Sequence, residues 1–202
     1  MYETVIIVDN DESVSRALTG IFGVKGYQTV AYSSAEACLR AVDQHFGPAC
    51  VIADLRLPGM GGIELQKNMP ARFPVIILTG HADVSGAVTA IRAGAVEFIE
   101  KPAGTNTLLT AVEKAMTLAR ARHADAICVK ALVSKMSLLT PREREVMALV
   151  VTGLRNKDVA RALGTVEKTI KVHRAHIMQK LELKSLAEMV RCADKLAQIV
   201  EL

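Results

Sequence analysis

Short runs of apolar residues alternate with amphipathic stretches along the first 120 positions of the chain. Continuous apolar runs of this kind are typical of strands that are buried on both faces of a sheet. The runs predict strands near residues 4–9, 28–32, 49–54, 75–79 and 96–100. The amphipathic stretches predict helices near residues 13–24, 34–45, 62–68, 84–93 and 105–122. Alternating strands and helices indicate right-handed crossovers, and therefore a five-stranded parallel sheet that is covered on both faces.

The strand pattern stops after Leu118, and the rest of the chain has a helical pattern. Residues 119–136 contain neither Gly nor Pro, so they predict a continuation of the last helix plus a linker. From Leu138 onward the pattern predicts short helices. We therefore predict an α/β domain over residues 1–120, a helical linker over 121–136 and an all-α domain over 137–202.

Capping residues mark the beginnings of two helices in the second domain. Thr140-Pro141-Arg142-Glu143 combines an N-cap, a first-turn proline and a capping-box glutamate. Ser185 and Glu188 repeat the capping-box spacing closer to the C-terminus. Each pattern predicts that a helix begins at that place in the chain.

A pair of helices between these two has the spacing of a helix-turn-helix motif. Asn156 is a candidate N-cap of a first helix over about 157–163, which ends at Leu163-Gly164. Thr165 is a candidate N-cap of a second helix, which continues to about Leu181. A short helix, a tight break and a longer helix are the arrangement with which this motif binds DNA.

Composition places the chain among globular proteins with ordinary cores. Half of the 202 residues are apolar, but the longest apolar runs span only four to six residues, too short for a transmembrane helix. The first residues lack the pattern of a signal peptide. The sequence therefore predicts a cytoplasmic protein with no membrane partner. Its four cysteines show no CxxC spacing and are expected to be reduced thiols: Cys38, Cys50, Cys128 and Cys192.

The net charge of +4 divides unevenly along the chain. Residues 1–118 carry 9 basic and 12 acidic side chains, a balance of −3, whereas residues 135–202 carry 13 and 8, a balance of +5. A basic second part is compatible with a polyanionic partner such as nucleic acid. A balance of +5 over this length is equally compatible with ordinary solubility, so charge alone leaves both interpretations open.

Polar side chains with complementary chemistry follow four of the predicted strands. Asp54 ends the third strand before a Pro/Gly-rich turn, Asp9 and Asp11 follow the first, Thr79 ends the fourth, and Lys101 follows the fifth. Because parallel strands gather their carboxyl ends at one edge of a sheet, these residues should converge. A carboxylate, a hydroxyl, an amine and an acidic cluster together predict a magnesium-assisted phosphorylation site.

The second helix of the helix-turn-helix motif has two distinct faces. At about 100° per residue, one side faces the domain core and the opposite side faces outward. The core side collects Val166, Ile170, Ile177 and Leu181, with His173 as a packing residue. The outward side collects Lys168, Lys171, Val172, Ala175 and Gln179. An exposed valine among lysines suits a major groove, where apolar groups meet thymine methyls, although an amphipathic surface helix has a similar pattern.

These motifs resemble those of two-component response regulators of the NarL/FixJ class. Residues 4–102 resemble a receiver domain in the segments VDNDES, ADLRLPGMGGIEL, ILTGHADV and AIRAGAVEFIEKP. Residues 138–191 resemble the LuxR-type helix-turn-helix domain in the segment LTPREREVMALVVTGLRNKDVARALGTVEKTIKVHRAHIMQKL. TGHADV and EFIEKP are most similar to the FixJ branch. The resemblance implies a flavodoxin-like α/β receiver domain followed by an all-α DNA-binding domain.

The resemblance also implies a role for each residue at the strand ends. Asp54 matches the phosphorylated aspartate, Thr79 the hydroxyl that bonds the phosphoryl group and Lys101 the amine that pairs with it. Phe98 matches the aromatic switch residue that moves with Thr79, and Pro102 a proline that follows a cis peptide bond. Mg²⁺ would be held by carboxylates, a side-chain amide and a backbone carbonyl: Asp9, Asp54, Asn10 and the carbonyl of Arg56.

Two positions depart from the family pattern. Asn10 stands where the family usually has a second acid, and an amide brings no charge to a Mg²⁺ site. Asp11 is a possible compensating ligand. In the second domain, Arg155 stands where a small polar residue is common and adds positive charge near the start of a helix.

We therefore expect a DNA-binding transcription regulator that a sensor histidine kinase switches by phosphorylating Asp54, and not an enzyme. Its partners would be that kinase, promoter DNA and a second copy of the chain. Either dimerisation or release of the output domain would transmit the signal. In the major groove, Lys171, Val172 and Ala175 would read bases. Phosphate contacts would come from Lys168, Arg174 and His176.

Two other functions fit parts of the sequence. Asn10 favours a regulator that binds DNA without phosphorylation and uses its receiver domain only to dimerise. A phosphohydrolase with an aspartyl nucleophile would use a similar α/β sheet, but it would carry a second Asp where this chain has Arg56. Helices after residue 137 would have no purpose in such an enzyme.

Overall fold

The computed structural model describes residues 2–44, 47–80 and 84–200. The chain divides into two compact units, Met1–Asp125 and Ala126–Leu202. No helix among the described residues has both the length and the apolar character needed to cross a membrane. The two units are described separately below.

The described residues of the first unit form five strands and the helices that connect them. The strands are β1 (Thr4–Val8), β2 (Gln28–Tyr32), β3 (Ala49–Asp54), β4 (Val75–Thr79) and β5 (Glu97–Glu100). The helices are α1 (Glu12–Val24), α2 (Ala35–Ala41), α3 (Gly62–Asn68), α4 (Val84–Arg92) and α5 (Thr105–Met136). A short 3₁₀ helix, Val42–Gln44, follows α2 where the sequence predicts a single helix over 34–45. The predicted end of that helix at residue 45 lies outside the described residues.

All five strands pair in parallel, in the order β2-β1-β3-β4-β5. The strand order reverses between β1 and β3, and the carboxyl ends on either side of such a switch point form a crevice. This topology confirms the predicted five-stranded parallel sheet. It also places the residues that follow β1, β3, β4 and β5 along one edge.

Two apolar layers cover the sheet because successive side chains of a strand point to opposite faces. Ile7 of β1 packs on one face with Phe22 of α1 and Met116 of α5. Ile6 packs on the other face with Leu65 of α3. Each large side chain buried in this way stabilises the fold by about 1.5–3 kcal/mol. The two layers hold the edge that carries the polar residues in a fixed geometry.

The buried cysteines of the first unit are thiols, as predicted. Cys38 packs in one apolar layer and Cys50 in the other. Burial raises the pKa of Cys38 to about 11 and that of Cys50 to about 12. Both side chains are therefore protonated and unreactive at neutral pH.

Helix α5 is 32 residues long and continues past the end predicted for it at residue 122. Residues 121–136, predicted as a helical linker, lie within this helix. Leu132 and Met136 pack against the core of the second unit. The two compact units meet between Asp125 and Ala126. The domain boundaries at residues 120 and 136 stay a prediction.

In the second unit, the described residues form four further helices around a separate apolar core. These helices are α6 (Pro141–Val151), α7 (Asn156–Ala162), α8 (Glu167–Lys180) and α9 (Leu186–Val200). Val146 of α6, Val159 of α7, Ile170 and Ile177 of α8 and Met189 of α9 are fully buried at its centre. Helices α7 and α8 match the predicted helix-turn-helix spacing.

The capping box at the start of α6 is confirmed. The Thr140 hydroxyl accepts a hydrogen bond from the Glu143 backbone, and the Glu143 side chain accepts one from the Thr140 backbone. At α9, Ser185 Oγ accepts a bond from the Glu188 backbone as predicted. The Glu188 carboxylate, however, accepts its bond from the backbone N–H of Lys184 rather than that of Ser185.

The predicted caps of α7 and α8 are wrong by one residue. Arg155 is the N-cap of α7, and Asn156 is already its first helical residue. Val166, not Thr165, is the N-cap of α8: its backbone is extended, and the helix begins at Glu167. Neither N-cap residue makes a side-chain capping bond.

The same shift makes the predicted burial of Val166 wrong. Its side chain is 64% exposed, whereas Ile170, Ile177 and Leu181 are buried as predicted. Helical periodicity applies only to residues with helical backbone angles. Val166 has φ −102 and ψ 151, which are not helical angles, so its side chain does not point towards the core as the helical wheel predicts.

Candidate functional site

Lys101 joins two carboxylates at the carboxyl edge of the sheet. Its Nζ donates to Asp9 Oδ2 and to Asp54 Oδ2, each at 2.6 Å. The side chain of Asp9 is 3% exposed, that of Asp54 14% and that of Lys101 20%. The structure thus brings together three predicted residues that lie at positions 9, 54 and 101.

The two carboxylates keep this ammonium charged. Burial alone disfavours the charged form of Lys101, but the hydrogen bonds from Lys101 to Asp54 and Asp9, with their negative charges, outweigh burial and raise its pKa. A partly buried ammonium held between two carboxylates is a strong, charge-assisted arrangement. It also places a positive charge where a phosphoryl group on Asp54 would lie.

The second oxygen of Asp54 binds the loop that follows β3. Asp54 Oδ1 accepts a hydrogen bond of 2.8 Å from the backbone N–H of Arg56. The backbone of Arg56, whose carbonyl is a predicted Mg²⁺ ligand, therefore lies beside the Asp54 carboxylate. Gly62 closes the loop against the strand, since a Cβ at this position would lie only 2.3 Å from the Asp54 carbonyl oxygen.

Asp11 caps helix α1. Its Oδ1 accepts bonds from Ser13 N at 2.8 Å and Ser13 Oγ at 2.6 Å, and these hold the pKa of Asp11 below its ordinary value. The Asp11 backbone N–H in turn donates to Asp9 Oδ1 at 2.8 Å. Asn10 between them is exposed. The geometry thus assigns Asp11 to a cap that orients Asp9, while its possible role as a metal ligand stays a prediction.

Thr79 and Phe98 flank the site from the neighbouring strands. Thr79 ends β4, is 1% exposed, and its backbone carbonyl accepts a bond of 2.7 Å from Lys101 N. Phe98 is partly buried against one apolar layer. The Lys101-Pro102 peptide bond is cis, as the resemblance implies. Residues 81–83 of the ILTGHADV segment lie outside the described residues.

The outward face of α8 is a second candidate site. All five side chains predicted to face outward are exposed, and Val172 is 47% exposed. Lys171 Nζ lies 3.1 Å from Glu167 Oε1, one turn earlier on the helix. Such exposed pairs are weak, typically about 0.3–0.5 kcal/mol, so another anion can replace the Glu167 carboxylate at little cost.

Glu143 of α6 contacts Lys180 and His176 on one side of α8. It was not among the predicted site residues. Glu143 Oε2 accepts from Lys180 Nζ at 2.7 Å and from Thr140 N at 2.8 Å, and His176 Nδ1 lies 3.8 Å from Oε1. The bond from Lys180, together with the capping bonds from Thr140, lowers the pKa of Glu143 to about 2. The capping-box pattern identified Glu143 as a cap, but no local pattern connects it to residues 33 and 37 positions away.

Arg174 connects the two helices of the motif. Its guanidinium donates to Asn156 Oδ1 at 2.5 Å, and the side chain is half-buried. One of the guanidinium N–H groups of Arg174, a predicted phosphate contact, is thus bonded to Asn156 inside the protein. His173 Nδ1 is buried and has no hydrogen-bond partner among the described residues, in agreement with the predicted packing role of His173. His176 and Lys168 are exposed.

Two protein families match separate parts of the chain. The response regulator receiver domain matches residues 5–113. The luxR family of bacterial regulatory proteins matches residues 137–193. The first match covers the sheet that carries Asp54 and Lys101, and the second covers helices α6 to α8 and the start of α9.

Several proteins are similar to the chain over nearly its whole length. The transcriptional regulatory protein FixJ of Rhizobium meliloti is 40% identical over 194 residues, 94% of either chain. Nodulation protein W of Bradyrhizobium diazoefficiens is 38% identical and covers 95% of this chain and 86% of that protein. The solved structure of the response regulator StyR matches at a TM-score of 0.74 with 37% identity, over 96% of this chain and 100% of that one. Full-length FixJ from B. japonicum matches at 0.55 with 34% identity, over 96% and 97%.

Proposed function

We propose a phosphorylation switch for this chain, which belongs to the response regulators that join a receiver domain to a LuxR-type DNA-binding domain. Members of this family are transcriptional regulators. In the proposal, a sensor histidine kinase transfers a phosphoryl group to Asp54, and the modified chain regulates transcription from promoter DNA in the cytoplasm. The chain acts as a regulator and not as an enzyme.

The observation that carries the proposal is the double hydrogen bond of Lys101 to Asp9 and Asp54. A carboxylate oxygen of Asp54 attacks phosphorus, a phosphorus–oxygen bond forms, and the bond to the leaving group breaks. The phosphoryl oxygens of the product carry about 1.5 to 2 negative charges, which replace the single negative charge of the carboxylate. Lys101 is already in place to pair with them, and the Thr79 hydroxyl at the end of the next strand is the donor we assign to the phosphoryl oxygens.

The residues at this edge fit a Mg²⁺ ion. Mg²⁺ prefers oxygen ligands and typically takes one or two carboxylates while it retains several waters. Asp9 and Asp54 supply two carboxylates on either side of one ammonium, and the backbone of Arg56 lies beside Asp54. The described residues contain no cluster of three or more acidic, histidine or cysteine side chains around one point, so the ion would also depend on the Arg56 carbonyl, Asn10 and water. Bound there, Mg²⁺ would neutralise charge on the phosphoryl oxygens.

The outward face of α8 supports the DNA-binding half of the proposal. Lys171, Val172 and Ala175 are exposed in the part of the helix that enters a major groove. Lys168 and His176 are exposed beside them, where phosphates would lie. A second copy of the chain would place two such helices on a two-fold operator, so we propose that the DNA-bound form is a homodimer.

Phosphotransfer to the full-length chain tests the first step. With acetyl phosphate and Mg²⁺, the wild type should gain one phosphoryl group by mass spectrometry, and Asp54→Asn should gain none. Asp125→Asn is a matched control, because it removes an exposed carboxylate from α5 at a distance from the site. Labelling of Asp54→Asn at the wild-type level would show that the phosphoacceptor lies elsewhere.

Asn10 supports a second candidate, a regulator that binds DNA without phosphorylation. The exposed amide brings no charge to the edge where the family usually has a second acid. A Mg²⁺ titration of the full-length chain discriminates between the candidates. Saturable Mg²⁺ binding at millimolar concentrations or below supports the switch. If the chain binds no Mg²⁺, and its affinity for DNA is the same with and without Mg²⁺, the second candidate is supported.

A further inference from the structure

The loop over residues 55–61 follows the proposed phosphoacceptor, and a hydrogen bond holds each of its two ends. Arg56 N donates to Asp54 Oδ1 at 2.8 Å at the start of the loop. At its end, Gly62 N donates to Leu55 O at 3.1 Å. Neither bond determines the path of the middle of the loop, where Pro58, Gly59 and Met60 lie.

A residue from a different helix holds that middle part. Glu36, in the first turn of α2, accepts a hydrogen bond of 2.9 Å at its Oε1 from the backbone N–H of Met60, 24 residues away. Hydrogen bonds from the backbone N–H groups of Glu36 itself and of Met60 hold the pKa of Glu36 below its ordinary value. The side chain is therefore a charged acceptor at neutral pH. No other side-chain acceptor among the described residues bonds to the backbone of the loop between Leu57 and Gly61.

The backbone conformation of Gly59, and its lack of a side chain, leave room for this contact. Its φ of +73 lies in the region that favours glycine, and a Cβ at this position would lie 2.7 Å from Glu36 Oε1. Glu36 thus occupies the space that a side chain at 59 would need. On the other side, Met60 and Leu55 pack against the apolar layer. Leu55 and Met60 thus attach the loop to that layer, and the Glu36 carboxylate binds its backbone.

We infer that Glu36 is a positioning residue for the phosphorylation site. It fixes the loop that presents the backbone of Arg56 to Asp54, and through that loop it sets the affinity of the site for Mg²⁺. This inference rests on the proposed function, because the Arg56 carbonyl matters only if the site binds the ion. Glu36 itself touches neither the ion nor the phosphoryl group.

An acidic residue in the first turn also stabilises a helix through its dipole, and the test has to separate this effect from positioning. Glu36→Asp keeps the charge in the first turn but withdraws the carboxylate by one methylene from Met60. Glu36→Gln loses the charge but keeps an oxygen at the same reach. Glu12→Gln is a matched control, since Glu12 is an exposed first-turn acid on α1.

The experiment measures Mg²⁺ affinity by calorimetry and the Mg²⁺ dependence of labelling by acetyl phosphate, both on the full-length chain. We expect Glu36→Asp to weaken Mg²⁺ binding about 10-fold, the lower end of the effect of removing an outer partner of a metal site. Labelling at saturating Mg²⁺ should recover towards the wild-type rate. Glu36→Gln should bind Mg²⁺ nearly as well as wild type, and Glu12→Gln should be unchanged.

Wild-type Mg²⁺ affinity in Glu36→Asp would overturn the inference, and so would equal losses in Glu36→Asp and Glu12→Gln. A shift in melting temperature without a change in Mg²⁺ affinity would assign Glu36 to helix stability alone.

Gly59→Ala gives an independent measurement: its effect on labelling should be smaller in the Glu36→Ala background, because the 2.7 Å approach is then absent. Additive effects would contradict the contact. Labelling of Asp54→Asn would instead contradict the proposed function, so the two failures are distinguishable.

Discussion

Each unit of the molecule contains a lysine bound to a carboxylate, and the two pairs serve different purposes. In the first unit, Lys101 lies 2.6 Å from both Asp9 and Asp54. In the second, Lys180 lies 2.7 Å from Glu143. The Asp54 side chain retains 14% exposure at the edge of the sheet, whereas that of Glu143 retains 4% beneath α8. An open carboxylate can accept a phosphoryl group, and a covered one can only hold two helices together.

The difference also concerns where each unit exposes its charges. The first unit keeps its reactive groups at the ends of buried strands, so their geometry follows from the topology of the sheet. The second unit buries the Glu143 carboxylate and exposes Lys168 and Lys171 on α8. Chemistry requires groups that converge on one point, whereas DNA binding requires groups spread along a surface.

The largest effect should come from removing Lys101. Lys101→Met leaves two adjacent carboxylates without their shared cation and removes the positive charge that would face the phosphoryl group. We expect labelling by acetyl phosphate to slow about 10²-fold, as when a single electrostatic donor is removed from an active site. Lys180→Met is the matched control and should label at the wild-type rate. If labelling slowed equally in Lys101→Met and Lys180→Met, the proposed difference between the two ion pairs would be wrong.

A smaller effect is expected at the exposed face of α8. Lys171→Ala should cost about 1–3 kcal/mol of binding free energy on the operator, while binding to unrelated DNA changes less. Fluorescence anisotropy with operator and scrambled duplexes measures both. Unchanged selectivity in Lys171→Ala and in Val172→Ala would show that this face does not read bases.

Lys168→Ala provides the contrast within the same helix. Because a phosphate contact is independent of sequence, this variant should weaken operator and scrambled DNA alike and lower the slope of log K against log salt by about one. A selective loss on the operator would instead place Lys168 among the base-reading residues.

The smallest effect is a pH-dependent loss of stability in the second unit. The pKa of Glu143 is lowered to about 2 by Lys180 and Thr140, so its carboxylate stabilises the fold above the ordinary pKa and loses this contribution as pH falls towards 2. Glu143→Gln should lower the stability of the second unit by about 1–2 kcal/mol at neutral pH, and the difference from wild type should shrink below pH 4.

Urea unfolding followed by circular dichroism at neutral and acidic pH measures this difference. Tyrosine fluorescence is an internal control, because all three tyrosines, Tyr2, Tyr27 and Tyr32, belong to the first unit. A constant difference between Glu143→Gln and wild type across the whole pH range would show that the charge of Glu143 does not contribute.

Hydrophobic pattern was sufficient to predict the sheet and the convergence of Asp9, Asp54 and Lys101, because parallel topology alone brings strand ends together. It failed at the start of α8. The helix begins at Glu167, one residue later than predicted, so its N-cap is Val166 rather than Thr165 and the Val166 side chain is exposed. Periodicity describes residues inside an element and carries no information on the backbone angles at its ends.

The hydrophobic pattern also did not predict side-chain contacts between different elements. Glu36 binds Met60 across 24 residues, and Arg174 binds Asn156 across 18. Both depend on how two helices or a helix and a loop approach each other. The sequence places each of these residues on its own element but does not indicate that they meet.

The central claim is that phosphorylation of Asp54 controls DNA binding by the second unit. The most direct measurement is a quantitative footprint of the full-length chain on genomic DNA with and without acetyl phosphate and Mg²⁺, repeated with Asp54→Asn. We predict that acetyl phosphate strengthens protection of specific sites by the wild type and has no effect on Asp54→Asn. Equal protection by the wild type in both conditions, despite complete labelling, would contradict the claim.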